Sequence, residues 1–134
     1  MNLTKFSRDL MMLSASRWSV PRDYFDPLYN YLVHGYEPGS FWSAVLANDF
    51  MRAVLSSHPA NTIDALKHTA GWIRDSFPEE AYGNRFIVED WIRRSSHERR
   101  LILESARMIY TEQEEIIKGL KGEQSYEPIL YTVY

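Results

Sequence analysis

The chain has 134 residues, no cysteine and a formal net charge of −3. That length suits one domain able to bury a core unaided, and the missing cysteines exclude disulfides, thiolate metal sites and a cysteine nucleophile. A slight acidic excess argues against a general DNA binder, whose footprint is usually basic, so nucleic acid is not an expected partner.

Leu3, Phe6, Leu10 and Leu13 step by three, four and three, the stripe of an amphipathic helix of about three turns. "RWSVPRD" breaks it at Pro21. Asp26-Pro27 then reads as the cap and first position of a second helix, because starting at Pro21 would leave Pro27 in its interior. That helix carries Leu28, Tyr31 and Leu32 inward and ends at His34, with Gly35 placed for a left-handed backbone.

A third helix is predicted from Ser40, as its cap, to about Ser56. Phe41, Trp42, Val45, Leu46, Phe50, Val54 and Leu55 give it a wide apolar face, which suggests a central helix with neighbours on more than one side. Asn48 and Asp49 interrupt that face, either as solvent-facing residues beside Arg52 or as a polar contact to a loop or ligand. Asn61 caps a fourth helix with Ile63, Leu66, Ala70, Ile73 and Phe77 on one stripe, stopped by Pro78. Asn84 caps a short fifth helix with Phe86, Ile87, Val88, Trp91 and Ile92.

Ser95 and Glu98 have capping-box spacing and open a long helix running to about Leu120. Its seam of Ile102, Ala106, Ile109, Ile116 and Leu120, with Gln113 as a polar member, fits a coiled-coil-like partner. At 1.5 Å per residue it would reach roughly 35 Å, longer than the body of such a domain, so a homodimer is expected. Residues 123–134, ending "YEPILYTVY", form an uncharged, Tyr-rich tail after Glu127, expected as an extended strap or as a strand added to a partner. The expected fold is therefore all-α: a compact bundle of five or six helices in one domain spanning 1–134, with a long helix over 95–121 and an extended tail.

No apolar run approaches the ~20 residues that cross a bilayer, and "MNLTKFSRDLMML" has no signal-peptide core. A cytoplasmic protein without a membrane partner is expected. No phosphate-binding glycine motif and no His-Glu-x-x-His is present, and "PGSFW" lacks a nucleophile elbow. Asp64 and His68, four apart, lack a second short ligand spacing and read as a solvated pair. No catalytic residue, metal or cofactor is therefore assigned, and a non-enzymatic protein is expected.

Nine Tyr, six Phe and four Trp serve either a core of large side chains or an aromatic contact surface. Arg93, Arg94, Arg99 and Arg100, with Arg107 beyond them, cluster about the start of the long helix. Fork-shaped guanidinium groups there would suit a nucleotide-like anion or an acidic protein surface, while nearby carboxylates would neutralise them locally. In "HGYEPGS", backbone geometry explains Gly35, Pro38, Gly39 and Ser40, leaving Tyr36 and Glu37 as exposed binding candidates. Tyr126, Tyr131 and Tyr134 are the tail's candidates.

Val20-Pro21, Tyr31, His34-Gly35, Pro38-Gly39-Ser40-Phe41 and Ala44-Val45-Leu46-Ala47-Asn48-Asp49 together resemble a pattern shared by small bacteriophage- and prophage-encoded proteins. A looser match follows through Asn61, Trp72-Ile73, Pro78 and Gly83 to Trp91, so the likeness covers about residues 20–93. The resemblance implies a phage origin and carries no activity with it. The expectation that follows is an accessory protein binding a host protein or complex in the host cytoplasm, such as a defence component. The other reading is a protein that sequesters a small nucleotide-like molecule between arginines and aromatic rings.

Overall fold

The computed structural model describes residues 1–121, and the expected tail with Tyr126, Tyr131 and Tyr134 lies outside them. The described chain is helical throughout: α1 (Lys5–Arg17), α2 (Arg22–His34), α3 (Ser40–Leu46), α4 (Phe50–Ser56), α5 (Ile63–Ser76), a 3-10 turn (Glu79–Ala81), α6 (Arg85–Arg93), α7 (Ser96–Ser105) and α8 (Glu112–Lys121). None of these helices is long and apolar enough to cross a membrane. The all-α expectation holds. Helix number does not, because two of the six predicted helices are each broken in two.

Both breaks have one cause. At the end of α3, Asn48 takes a left-handed backbone (φ 58°). Its N–H donates to Val45 O (3.1 Å), and the Asp49 N–H donates to Ala44 O (2.9 Å). These two bonds satisfy carbonyls that a helix end leaves orphaned. The Asp49 side chain then caps α4 by accepting from Arg52 N at 3.2 Å. So Asn48 and Asp49 are exposed beside Arg52, as the solvent-facing reading had it, but they form a corner between two helices and not one face of a single helix. The same pattern closes α7 at Arg107 (φ 57°), with Arg107 N–H to Glu104 O and Met108 N–H to Leu103 O. Turning there lets Met108 and Ile109 enter the core. Thr111 and Glu114 then open α8 by reciprocal hydrogen bonds of 3.0 and 3.1 Å, a capping box. There is no continuous 95–121 helix, and the coiled-coil seam goes with it.

Three smaller corrections concern where helices start. α2 begins at Arg22, with Pro27 inside it. The missing N–H at Pro27 frees the carbonyl of Asp23, a residue on the exposed surface. In return the extra turn buries Phe25 against Tyr29 and Trp72 and lets Tyr24 donate to Asn61 Oδ1 at 2.8 Å. Asn61 is thus a partner of Tyr24, and Thr62 caps α5 by accepting from Ala65 N at 3.1 Å. Gly39, not Ser40, stands at the cap of α3.

Helix α2 is the centre of the core. Leu28, Tyr31, Leu32 and Val33 on it are fully buried, with Met11 of α1, Trp72 of α5, Trp91 of α6, Leu103 of α7 and Ile109 around them. The aromatic polar groups entering this core are matched. The Tyr31 hydroxyl donates to Ala81 O (2.7 Å), Trp91 Nε1 donates to Tyr31 O (3.0 Å) and Trp72 Nε1 donates to Ser14 Oγ (3.0 Å). Burial pushes the Tyr31 phenol well above its ordinary pKa, so it stays a donor.

The end of α2 is closed from outside. Gly35 has φ 67°, as predicted, and its N–H returns to Tyr31 O at 3.1 Å. A Cβ on it would meet the Arg99 guanidinium at 2.7 Å and Ile92 O at 3.2 Å. Gly35→Ala should therefore cost on the order of 2 kcal/mol or more, from left-handed strain and displacement of Arg99. Urea unfolding measures this; a loss within about 0.5 kcal/mol would mean that neither constraint operates.

Candidate functional site

α4 reads FMRAVLS, with one charged residue in seven. Its apolar residues fall at i and i+4 twice, Phe50 with Val54 and Met51 with Leu55, which makes two adjacent rows along one helix. An apolar helix of this kind normally faces a core. Here no residue of α4 is buried. Phe50 is 74% exposed, Met51 66%, Val54 54% and Leu55 81%, and Ile63 at the start of α5 adds 72%. The expectation of a central helix with neighbours on several sides fails for this half of it.

Between α3–α4 and α5 runs a groove of about 340 Å³, floored by Trp42 and walled by Phe41, Val45, Phe50, Val54, Ile63 and Leu66. Trp42 is fixed edge-on between Tyr24 (5.0 Å) and Phe41 (4.8 Å). The groove's polar lining residues, Ser57 and Asn61, are bonded to one another at 3.3 Å, and Asn61 is held again by Tyr24. The groove therefore offers mainly apolar area, with no ionisable side chain among its lining residues, and suits contact. Contiguous apolar patches beyond a few hundred Å² are rare on monomers and mark contact surfaces.

No family model, curated protein or solved structure matches the chain. The site stands on its own chemistry.

The arginines singled out from the sequence do not assemble into an anion site. Arg99 is buried, donating from Nε to Val33 O (3.3 Å) and from Nη1 to Arg94 O. Burial alone moves its pKa down from the ordinary arginine value. Arg100 is buried among carboxylates, pairing with Glu104 (2.9 Å), Glu112 (3.4 Å) and Glu115. Arg94 pairs with Glu98 at 3.6 Å, and Arg107 with Glu114 through two bonds of 3.0 and 3.2 Å. That Arg107 fork, then the Thr111 N–H, holds the Glu114 carboxyl down at about 2. Of the five arginines, Arg93 and Arg107 are exposed. Forks expected to meet a ligand are largely spent inside the fold.

Tyr36 and Glu37 are exposed, as expected. Tyr36 stacks on His34 at 5.2 Å, and Glu37 lines a recess of about 250 Å³ with Arg52, Arg85 and Glu89, on a different side of α3 from the groove. Burial, followed by the chain's amino terminus and Arg99, holds the His34 imidazole below its usual pKa. The structure does not bring Tyr36, Glu37 and the arginines to one place. The groove went unpredicted because its residues fitted an unbroken helix; the signal for it was the Asn48-Asp49 pair.

Glu115 closes the far side of the fold. It accepts from the Thr4 N–H at 3.2 Å, from the Thr4 hydroxyl and from Arg100. Burial pushes its carboxyl up, but hydrogen bonds from Ser7, Thr4 and Arg100 outweigh that, and the pKa is lowered. A depressed carboxyl stabilises the fold fully above the ordinary Glu range, ~4.3, and this is lost as pH falls through the folded value. Thermal unfolding from pH 7 to pH 3 should show a falling Tm in the wild type. Glu115→Gln should be about 2–3 kcal/mol less stable at neutral pH and flatter with acid, because Arg100 loses a buried partner. Equal slopes in the two proteins would count against this linkage.

Proposed function

We propose that the protein is a non-enzymatic accessory protein of the phage type that holds a host protein in the groove between α4 and α5. The observation carrying this reading is α4 itself, a helix with four exposed large apolar side chains and no buried residue. Its partner is a protein that offers an amphipathic helix, with apolar anchors a turn apart seated between Phe50, Val54 and Ile63. The phage-like pattern over residues 20–93 includes the α3–α4 corner and supports a host protein as target.

Asp49 caps α4, Arg52 lies on α4 and Asp64 is in the first turn of α5, a mixed charge on the two helices that disfavours an anionic lipid surface. The nucleotide-sequestering alternative is less well supported, since Arg99 and Arg100 are internally paired.

A photoreactive amino acid at position 55, in protein incubated with host lysate, tests the proposal. One host protein should cross-link there, through an amphipathic helix identified by mass spectrometry. Its recovery should fall about tenfold or more with Val54→Glu, which corresponds to losing ~1.4 kcal/mol at one anchor. Because α4 buries nothing, Val54→Glu should alter folding stability by about 0.5 kcal/mol or less. Undiminished cross-linking by the folded variant would overturn the proposal.

A further inference from the structure

The face proposed to hold a host protein carries two shapes at once. Met51 and Leu55 form a ridge, 66% and 81% exposed, and the groove beside them is walled by Phe50, Val54, Ile63 and Leu66. A ridge next to a matching groove is self-complementary under a twofold axis: each copy's ridge enters the other's groove, so every contact is made twice. We infer that, in the absence of its partner, the protein closes this face with a second copy of itself, and that host protein and second copy compete for one surface.

Area supports that occupant. Five large side chains, each more than half exposed, present on the order of 500–600 Å². Standard interfaces take ~800 Å² from each partner, and the rest is within reach of the partly buried Phe41, Val45 and Leu66 on the groove walls. Helix length points the same way. A seven-residue helix is well under the ~12–15 residues at which isolated helices become even marginal in water, so α4 calls for cover beyond its contact with α3. Arg52 is the one charge on α4, so the seam is mostly apolar.

This inference rests on reading the α4 face as a docking surface, and the test separates the two. The chain has no cysteine, so single introduced thiols report cleanly. Native mass spectrometry of the full chain should show a dimer that Leu55→Glu converts to monomer, with unchanged helical circular dichroism. A mixture of Leu55→Cys and Ile63→Cys chains, gently oxidised, should give the mixed disulfide in excess of either homodisulfide. Ile117→Cys, on the exposed face of α8, should give little. A wild type that is monomeric over a wide concentration range overturns the inference. So does a dimer that survives Leu55→Glu and cross-links through Ile117→Cys. A monomer that still photo-cross-links a host protein at position 55 sinks the second copy and keeps the docking face; a dimer that captures no host protein does the reverse.

Discussion

A guanidinium group sealed against the end of a central helix is the constraint on which this fold depends. Every α-helix ends with carbonyls that lack partners, and in the last turn of α2 Tyr31, Leu32 and Val33 are buried. Tyr31 O is taken by the Gly35 N–H and by the Trp91 indole, and Val33 O by Arg99. A cation suits that position twice over, since it supplies donors and faces the negative end of the helix dipole. The cost is desolvation of a charge, offset in part by fixed carbonyl acceptors at Nε and Nη1. Arg99 in turn donates to the Arg94 carbonyl just before α7, so one side chain ties α2, the end of α6 and α7 together. Glycine at 35 follows from that arrangement: any side chain there would stand where the guanidinium stands.

Much of this was legible in the sequence, and what was not had a definite cause. The Gly35, Asn84 and Ser95 caps follow from local rules and the structure carries them. The stripes hold only in part: α1 buries Ser7, Met11 and Ala15 rather than Leu3, Phe6, Leu10 and Leu13, and Ile63, Ala70 and Phe86 are exposed. Local rules failed at Asn48 and Arg107, where a helix stops at a left-handed residue other than glycine. Such a residue is strained by roughly 1–2 kcal/mol, and no periodicity announces it. Tertiary burial offsets the strain: turning at Arg107 places Met108 and Ile109 in the core, and the Arg107–Glu114 fork holds the turn from outside. Thr111 and Glu114 did carry capping-box spacing, but the apolar seam running past them read as one helix. A seam and a cap disagreed, and the cap was right.

The arginines show the limit of reading function from a cluster in sequence. Consecutive residues on a helix point in different directions, about 100° apart, so Arg99 and Arg100 belong to different neighbourhoods. Arg99 serves the end of α2, and Arg100 serves the junction of α7, α8 and the chain's first residues through Glu104 and Glu115. Charge density along the chain suggested a ligand. Geometry gave the charges internal partners.

The groove has the opposite history. Its residues looked like core because they are apolar and helically spaced, and they reached the surface because the chain turned at Asn48. Turning there withdraws α4 from the bundle while keeping α3 packed on α6, so the core loses nothing and the surface gains four large apolar side chains. Replacing them with polar residues would leave the α2-centred core intact, because none of them is buried within it. The stability of the fold thus gives no reason for Phe50, Met51, Val54 and Leu55 to be apolar. That excess of apolar area, which folding does not require, is what the proposed docking face rests on, and most of it lies on a single seven-residue helix.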